Sequence, residues 1–418
     1  MSLTVRDARL DDAVVAVRVK DDRIVALGAD VEPEAGDDVL DAAGMALLPG
    51  LVNGHTHAAM TLMRGYGGDL PLMTWLQDKI FPVEAKLTAD DVYWGTRLAC
   101  VEMIRSGTVR FWDMYWQPEA VARAVQDAGI RASVALPLVD GLDADKSDAL
   151  RADAERSLDA LADAGPRITP TLGPHSIYLV SEKSLHWIAE LSSERDLRVH
   201  IHLSETEGEV QDCAAAHGVR PAPYLDRIGL LTPRTHLAHG VWLDDDELAL
   251  VGERGATVVT NPVSNLKLAV GRVFPYAKAR GHGIPVGLGT DGASSNNSLD
   301  LFQDVKHLAL MQKHAERDPA AMPAAEAWAV ATGQRAPALG QQGRLGVGEP
   351  ADFLLVRSDA PELTPGDLTA NLVYAAAGSV VDTTVVAGKV LMRGGEIGNE
   401  GEVRAGAIAS ARRLGVTE

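Results

Sequence analysis

The chain has 418 residues, a net charge of −19 and only two cysteines. Its length allows a large core and two domains. The acidic balance argues against nucleic acid and anionic membrane surfaces as partners. No apolar run approaches the ~20 residues that cross a membrane, and the N-terminus lacks the apolar core of a signal peptide. Cys100 and Cys213 cannot form a disulfide framework. We therefore expect a cytoplasmic globular protein.

The two ends of the chain share a pattern of short strands. The predicted strands are Ala13–Val19, Arg23–Leu27, Asp352–Val356 and Val380–Leu391, the last with a turn at Gly388-Lys389. Neither end is large enough to bury a core alone. We therefore predict one small β-sandwich domain formed by both termini, residues 1–49 plus 346–418.

The middle of the chain, residues 50–345, repeats a unit of strand, loop and helix. The predicted strands end near His55, Asp113, Asp140, His175, His202, His239, Asn261 and Asp291. Predicted amphipathic helices follow at residues 118–129, 146–165 and 182–196. Eight such units predict an α/β fold, a (β/α)₈ TIM barrel whose active site lies at the C-terminal ends of the strands.

Several of these strand ends carry metal-binding side chains. His55 and His57 lie two residues apart, so both project from one face of a strand. Further strand ends offer histidines and the carboxylate of Asp291. Three imidazoles and one carboxylate suit Zn²⁺ or Fe²⁺, with a water completing an open catalytic site. Glu205 lies just beyond a strand end, where it is a candidate proton shuttle.

Three motifs in combination carry a resemblance to a known family. They are Pro49–His57, His202–Thr206 and Gly289–Asn297. The chain resembles the amidohydrolase superfamily in its mononuclear aminohydrolase branch, and within it the 5′-methylthioadenosine/S-adenosylhomocysteine deaminases. Binuclear relatives bridge two metals with a modified lysine after strand four, where this chain has His175 instead. The resemblance therefore implies one divalent metal per subunit, Zn²⁺ with Fe²⁺ as the alternative.

The resemblance also implies a role for each site residue. The metal ligands would be His55, His57, His202 and Asp291. His239 would hydrogen-bond the attacking water, and Glu205 would protonate the ring nitrogen beside the attacked carbon. Asp291 would also take the proton of the water. The expected reaction is hydrolytic deamination of an adenine nucleoside, which replaces the 6-amino group with oxygen and releases ammonia.

The substrate pocket follows from the resemblance with less detail. Trp75 would contact the substrate, with loop packing as the alternative, and His175 would contact the ribose, with helix capping as the alternative. Family members that hold the amino-acid tail of S-adenosylhomocysteine carry arginines after strand three. Here that segment is Ala135–Asp140, and only Arg151 could substitute. A carboxylate needs a cationic partner for tight binding, so adenosine, 5′-deoxyadenosine and 5′-methylthioadenosine are favoured.

Other functional hypotheses are compatible with the same residues. A deaminase or chlorohydrolase of guanine, a pterin or a triazine would need the same metal site. A catalytically dead scaffold is disfavoured because every implied ligand, Glu205 and His239 are present. Homo-oligomers are common in the family, so a homo-oligomer is one expected state. His200 is predicted as a hydrogen-bonded core residue, and His236 is assigned to a helix or connecting segment.

Overall fold

A computed structural model of the protein describes residues 2–340 and 343–417. Sixteen strands form within these residues. They are β1 (Ser2–Leu10), β2 (Ala13–Lys20), β3 (Arg23–Gly28), β4 (Asp38–Asp41), β5 (Met45–Pro49), β6 (Leu51–Thr56), β7 (Thr108–Met114), β8 (Arg131–Leu138), β9 (Ile168–Pro174), β10 (Val199–Leu203), β11 (Thr235–His239), β12 (Thr257–Thr260), β13 (Val286–Leu288), β14 (Phe353–Arg357), β15 (Val381–Val386) and β16 (Lys389–Met392).

Fifteen α-helices lie in the same described residues. They are α1 (Leu72–Trp75), α2 (Phe81–Glu84), α3 (Ala89–Arg105), α4 (Pro118–Ala128), α5 (Ser147–Ala162), α6 (Glu182–Glu194), α7 (Glu207–His217), α8 (Pro221–Ile228), α9 (Asp245–Arg254), α10 (Pro262–Lys267), α11 (Tyr276–Gly281), α12 (Leu301–Glu316), α13 (Ala324–Ala331), α14 (Leu368–Tyr374) and α15 (Glu400–Leu414). A π-helical turn, Leu76–Ile80, joins α1 to α2. Short 3₁₀ turns occupy Ala58–Met63, Ala144–Lys146, Pro337–Leu339, Pro361–Leu363 and Gly378–Val380.

The barrel consists of β6 to β13, which are parallel and follow one another in sequence order. It is nearly closed, because the backbone N–H groups of Thr290 and Asp291, just after β13, donate to the carbonyl of His55 in β6 at 3.2 and 3.0 Å. Every residue of β10 is buried, as expected for a strand covered on both faces. The predicted TIM barrel is confirmed.

Local sequence explains where the barrel helices begin and end. α4 starts at Pro118, whose missing N–H costs nothing at a helix start, and it ends before Gly129 in the left-handed region. The side chain of Ser181 accepts the N–H of Ser184 and caps α6. The helices α4, α5 and α6 all lie within the ranges predicted from the sequence.

The two ends of the chain join in one second sheet. Its strands run in the order β3, β2, β1, β5, β14, β15, β16. The short strand β4 lies outside this order and pairs with β1. The antiparallel pairing of β5 with β14 connects the N-terminal and C-terminal parts. Val5, Val17, Phe353 and Leu355 lie in a separate core within this sheet. The sheet from both termini is confirmed, while the domain boundaries at 49/50 and 345/346 stay a prediction.

The C-terminal segment also contains a long helix that was not predicted. α15 packs against α3 of the barrel. Arg105 Nη1 lies 2.9 Å from Glu400 Oε1, and Arg413 pairs with the carboxylate of Asp91. Across the described residues, every helix is too short or too polar to pass through a bilayer.

Candidate active site

Two histidines face each other at the C-terminal mouth of the barrel. His57 Nδ1 donates to the carbonyl of Met114 at 2.7 Å, and His202 Nδ1 donates to the carbonyl of His175 at 2.6 Å. A carbonyl only accepts, so each Nδ1 carries a proton, and a ring that is neutral directs a lone pair from Nε2. The two Nε2 atoms are 3.2 Å apart. Two nitrogens at this distance need positive charge between them, either a proton on one Nε2 or a metal ion bound by both.

Asp291 completes the cluster. Its Oδ1 lies 3.3 Å from the Nε2 atoms of both His55 and His57. Its Oδ2 accepts hydrogen bonds from Ser264 at 2.7 Å and Ser295 at 2.8 Å, which fix the carboxylate. Two ligand atoms of a tetrahedral Zn²⁺, with bonds of about 2.05 Å, lie about 3.3 Å apart. The spacing of these nitrogen and oxygen atoms is therefore compatible with ligation of a divalent metal ion.

The electrostatics of the cluster also favour a bound cation. The fully buried Nε2 of His55 makes no hydrogen bond, and burial lowers the pKa of His55 to about 4. Burial also lowers the pKa of His57, but the Asp291 carboxylate outweighs it and raises that pKa to about 9. Burial opposes ionisation of Asp291, yet His55 and His57 hold its pKa well below the usual range. The buried carboxylate of Asp291 therefore favours positive charge in this cluster, carried by a protonated His57 or by a bound metal cation.

Glu205 and His239 lie beside this cluster. His239 Nδ1 donates to Asn265 Oδ1 at 2.9 Å, which directs Nε2 towards Glu205 Oε2 at 3.8 Å. His239 has a φ of +74° and Ser204 a φ of +52°, so both strand ends turn sharply to bring these side chains to the mouth. Burial raises the pKa of Glu205, which favours the protonated form of this carboxyl group.

A cavity of about 540 Å³ opens above the cluster. Helices α1 and α2, with the π-helical turn between them, form one of its walls. Its lining includes His57, His202, Glu205, His239 and Asp291 together with a larger number of apolar side chains. No lysine or arginine occurs among the described residues that line it. Such an apolar cavity with a few convergent polar groups is typical of a small-molecule site.

Of the predicted substrate-binding residues, some line the cavity and one does not. Trp75 is buried and lines the cavity, as does His175. Burial, with the neighbouring His57, lowers the pKa of His175 to about 3, and its Nδ1 has no partner. Arg151 lies on α5 and pairs with Glu155 at 3.1 Å, away from the cavity lining. A substrate role for Arg151 stays a prediction without geometric support.

The sequence reasoning missed four residues of the site and misplaced a fifth residue. The missed residues are Glu84, Glu209, Ser264 and Ser295. Glu84 is a half-buried carboxylate in the cavity wall and accepts from Trp116 Nε1 at 3.1 Å. The misplaced residue is His236, which was assigned to a helix or connecting segment. It lies in β11 and its ring packs 4.1 Å from that of Trp112.

Comparisons with known proteins agree with this geometry. Residues 46–391 match the amidohydrolase family. The chain is 51% identical over 383 residues to a 5′-deoxyadenosine deaminase of Methanoregula boonei, covering 90% of this chain and 86% of that protein. It is 44% identical over 388 residues to a 5-methylthioadenosine/S-adenosylhomocysteine deaminase of Moorella thermoacetica, covering 91% and 90%.

A solved structure extends the likeness to the whole fold. An adenosine deaminase from Xanthomonas campestris with bound zinc superposes with a TM-score of 0.92, covers 99% of both chains and is 34% identical. Its fold includes both the barrel and the sheet from the termini, because nearly the whole of each chain is covered. The family match covers most of the chain, and these relatives are highly identical to it, so this chain belongs to the amidohydrolase family.

Proposed function

We propose that this chain is a metal-dependent hydrolase that deaminates adenine nucleosides, replacing the 6-amino group with oxygen and releasing ammonia. It would hold one divalent cation, Zn²⁺ with Fe²⁺ as the alternative, on His55, His57, His202 and Asp291. The observation that carries the proposal is the spacing of 3.2 to 3.3 Å between the facing ring nitrogens and the Asp291 oxygen. With both Nδ1 protons committed to carbonyls, the facing Nε2 atoms can bind a metal cation, which would displace the proton that Asp291 otherwise favours on His57.

The bound cation would supply an acidified water as the nucleophile near neutral pH. Asp291 would take a proton from this water through Oδ1, because Oδ2 is occupied by the two serines. Glu205, whose pKa is raised by burial, would donate to the ring nitrogen beside the attacked carbon. His239 would accept a hydrogen bond from the attacking water at Nε2, since its Nδ1 donates to Asn265.

The cavity supports a nucleoside with a small apolar 5′ group. Trp75 offers an apolar ring to the purine, and His175 and Glu84 offer acceptors for ribose hydroxyls. The carboxylate tail of S-adenosylhomocysteine would meet Glu84 and no cationic side chain among the described lining residues. The relatives named 5′-deoxyadenosine deaminase support the same preference. We therefore propose 5′-deoxyadenosine, 5′-methylthioadenosine and adenosine as substrates.

Ammonia release from a substrate panel tests the proposal. The Zn²⁺-loaded protein would be assayed with adenosine, 5′-deoxyadenosine, 5′-methylthioadenosine, S-adenosylhomocysteine, guanine and a chlorotriazine. We expect turnover of the first three nucleosides and a much lower kcat/KM for S-adenosylhomocysteine. Turnover of guanine or the triazine alone would be consistent with the proposed metal site but would refute the proposed substrate class. The oligomeric state stays a prediction that does not enter this test.

A further inference from the structure

We propose that His200 is a positioning residue that orients His55 for metal binding and thereby sets the affinity of the site. His200 Nε2 lies 2.8 Å from His55 Nδ1, and the two buried rings meet edge-on at 4.9 Å and 89°. His200 is one layer deeper in the barrel than His202, on the same face of β10. It lines no part of the cavity, so it cannot contact the substrate.

The inference rests on the proposed metal site. His55 turns Nε2 towards Asp291 Oδ1, so a metal would bind this nitrogen and leave the ring proton on Nδ1. That proton points at His200, whose Nε2 then accepts it. An acceptor behind a ligating imidazole fixes its tautomer and ring angle, and losing such a partner costs about 10- to 100-fold in metal affinity.

His200 differs from the corresponding partners of the other two histidine ligands. His57 and His202 donate to the backbone carbonyls of Met114 and His175, which no substitution removes. His55 instead depends on a side chain. A single side-chain substitution can therefore free the His55 ring from its fixed orientation. The resulting loss of metal affinity measures the contribution of the His55–His200 hydrogen bond.

His236 provides a matched control within the barrel. It is the register partner of His200 on the neighbouring strand β11, and both side chains are fully buried. Both rings pack against Trp112, with centroids 5.9 Å away for His200 and 4.1 Å for His236. Neither ring nitrogen of His236 has a hydrogen-bond partner among the described residues. The two sites therefore share depth and packing but differ in the contact with His55.

The test measures the Zn²⁺ affinity of the metal-free protein by competition with a chromophoric chelator. His200→Gln keeps an acceptor near the place of Nε2, whereas His200→Asn is equally polar but too short to reach His55. We expect Zn²⁺ binding to weaken about 10- to 100-fold in His200→Asn and to stay within about threefold of wild type in His200→Gln and His236→Asn.

Two results would overturn the inference about His200, and a third would refute the proposed function. Wild-type affinity in His200→Asn would overturn the inference. An equal loss in His200→Asn and His236→Asn would also overturn it, because it would trace the effect to core packing. If the wild-type protein binds no Zn²⁺, the proposed function itself fails, and that outcome is distinguishable because it needs no variant. His200→Leu, followed by thermal melting with and without Zn²⁺, repeats the comparison should an asparagine variant fail to fold.

Discussion

Glu209, four residues after Glu205, fixes the backbone at Glu205 by hydrogen bonding. Its two carboxylate oxygens accept the N–H groups of Glu205 and Ser204, each at 2.8 Å. Ser204 has a φ of +52°, a conformation that L residues rarely adopt, so these bonds stabilise a strained turn. Glu209 lies in α7 and is itself buried, which raises its pKa to about 7. The direction of the Glu205 carboxyl therefore depends on a second acid that does not line the cavity.

We expect Glu209→Gln to lower kcat at least about tenfold while Zn²⁺ stays bound. The amide presents an NH₂ group to one of the two N–H donors, which costs about 1–3 kcal/mol and loosens the turn. Glu247→Gln is the control, because Glu247 is also buried and accepts the N–H groups of Ala222 and Asp244 away from the cavity, in addition to its ion pair with Arg220. Steady-state kinetics and bound zinc are measured on both. Equal kcat in the two variants would show that Glu209 does not position Glu205.

Glu205→Gln should retain the metal and lose about 10²-fold or more in kcat. The amide keeps the size of the side chain but cannot donate a proton as an acid, which removes general acid catalysis. Glu205 lies 3.8 Å from His239 Nε2 and is not one of the proposed ligands. Metal analysis and ammonia release on the same preparation separate the two effects. Near-normal turnover would refute the assignment of Glu205 as the proton shuttle.

His57→Ala should lose metal and activity together. The substitution removes the nitrogen that faces both His202 Nε2 at 3.2 Å and Asp291 Oδ1 at 3.3 Å. A ligand at a thousand times its Kd stabilises a protein by about 4 kcal/mol, so chelation should lower the Tm of the wild-type protein. It should leave the Tm of His57→Ala unchanged. A variant that still binds one Zn²⁺ with wild-type affinity would contradict the ligand set.

Asp304 makes stability depend on pH. Burial, together with the carboxylates of Asp300 and Asp291, raises the pKa of Asp304 to about 8 from a model-peptide value of 3.8. Between these two values the folded chain keeps a proton that the unfolded chain has lost. The free energy of unfolding therefore falls as pH rises from about 4 to about 8.

Asp304→Asn tests this dependence, because the amide cannot ionise. Asp304 accepts Asn296 Nδ2 at 3.1 Å, a contact that the amide oxygen can replace. We expect the free energy of unfolding of the variant, measured in urea at pH 5 and pH 8, to fall less over this interval than that of wild type. Parallel pH profiles would show that Asp304 keeps an ordinary pKa in the folded state.

Much of the barrel and of the metal cluster could be predicted because both follow from strand geometry. Side chains alternate along a strand, so His55 with His57 and His200 with His202 had to share a face. The C-terminal ends of parallel strands meet at one mouth, which brings His55, His202 and Asp291 together although they are far apart in sequence. These relations need no knowledge of loop conformation.

The rest of the site depends on loops and on backbone angles that sequence patterns do not specify. Strand alternation directs His239 away from the face of His236, yet a φ of +74° turns it into the mouth. Ser264 reaches Asp291 from the short helix α10 that follows β12, and Ser295 reaches it from the loop after β13. His236 was misplaced although it lies in β11, in the same short motif that supplies His239. Glu84 enters the wall through a π-helical turn, which no simple periodicity predicts.

The most direct test is a titration of metal-free protein with Zn²⁺ while ammonia release from 5′-deoxyadenosine is measured. The account predicts no turnover without metal, a linear rise with added Zn²⁺, and saturation at one Zn²⁺ per chain. Turnover that persists in chelator, saturates at two ions per chain, or never appears with bound Zn²⁺ would contradict it.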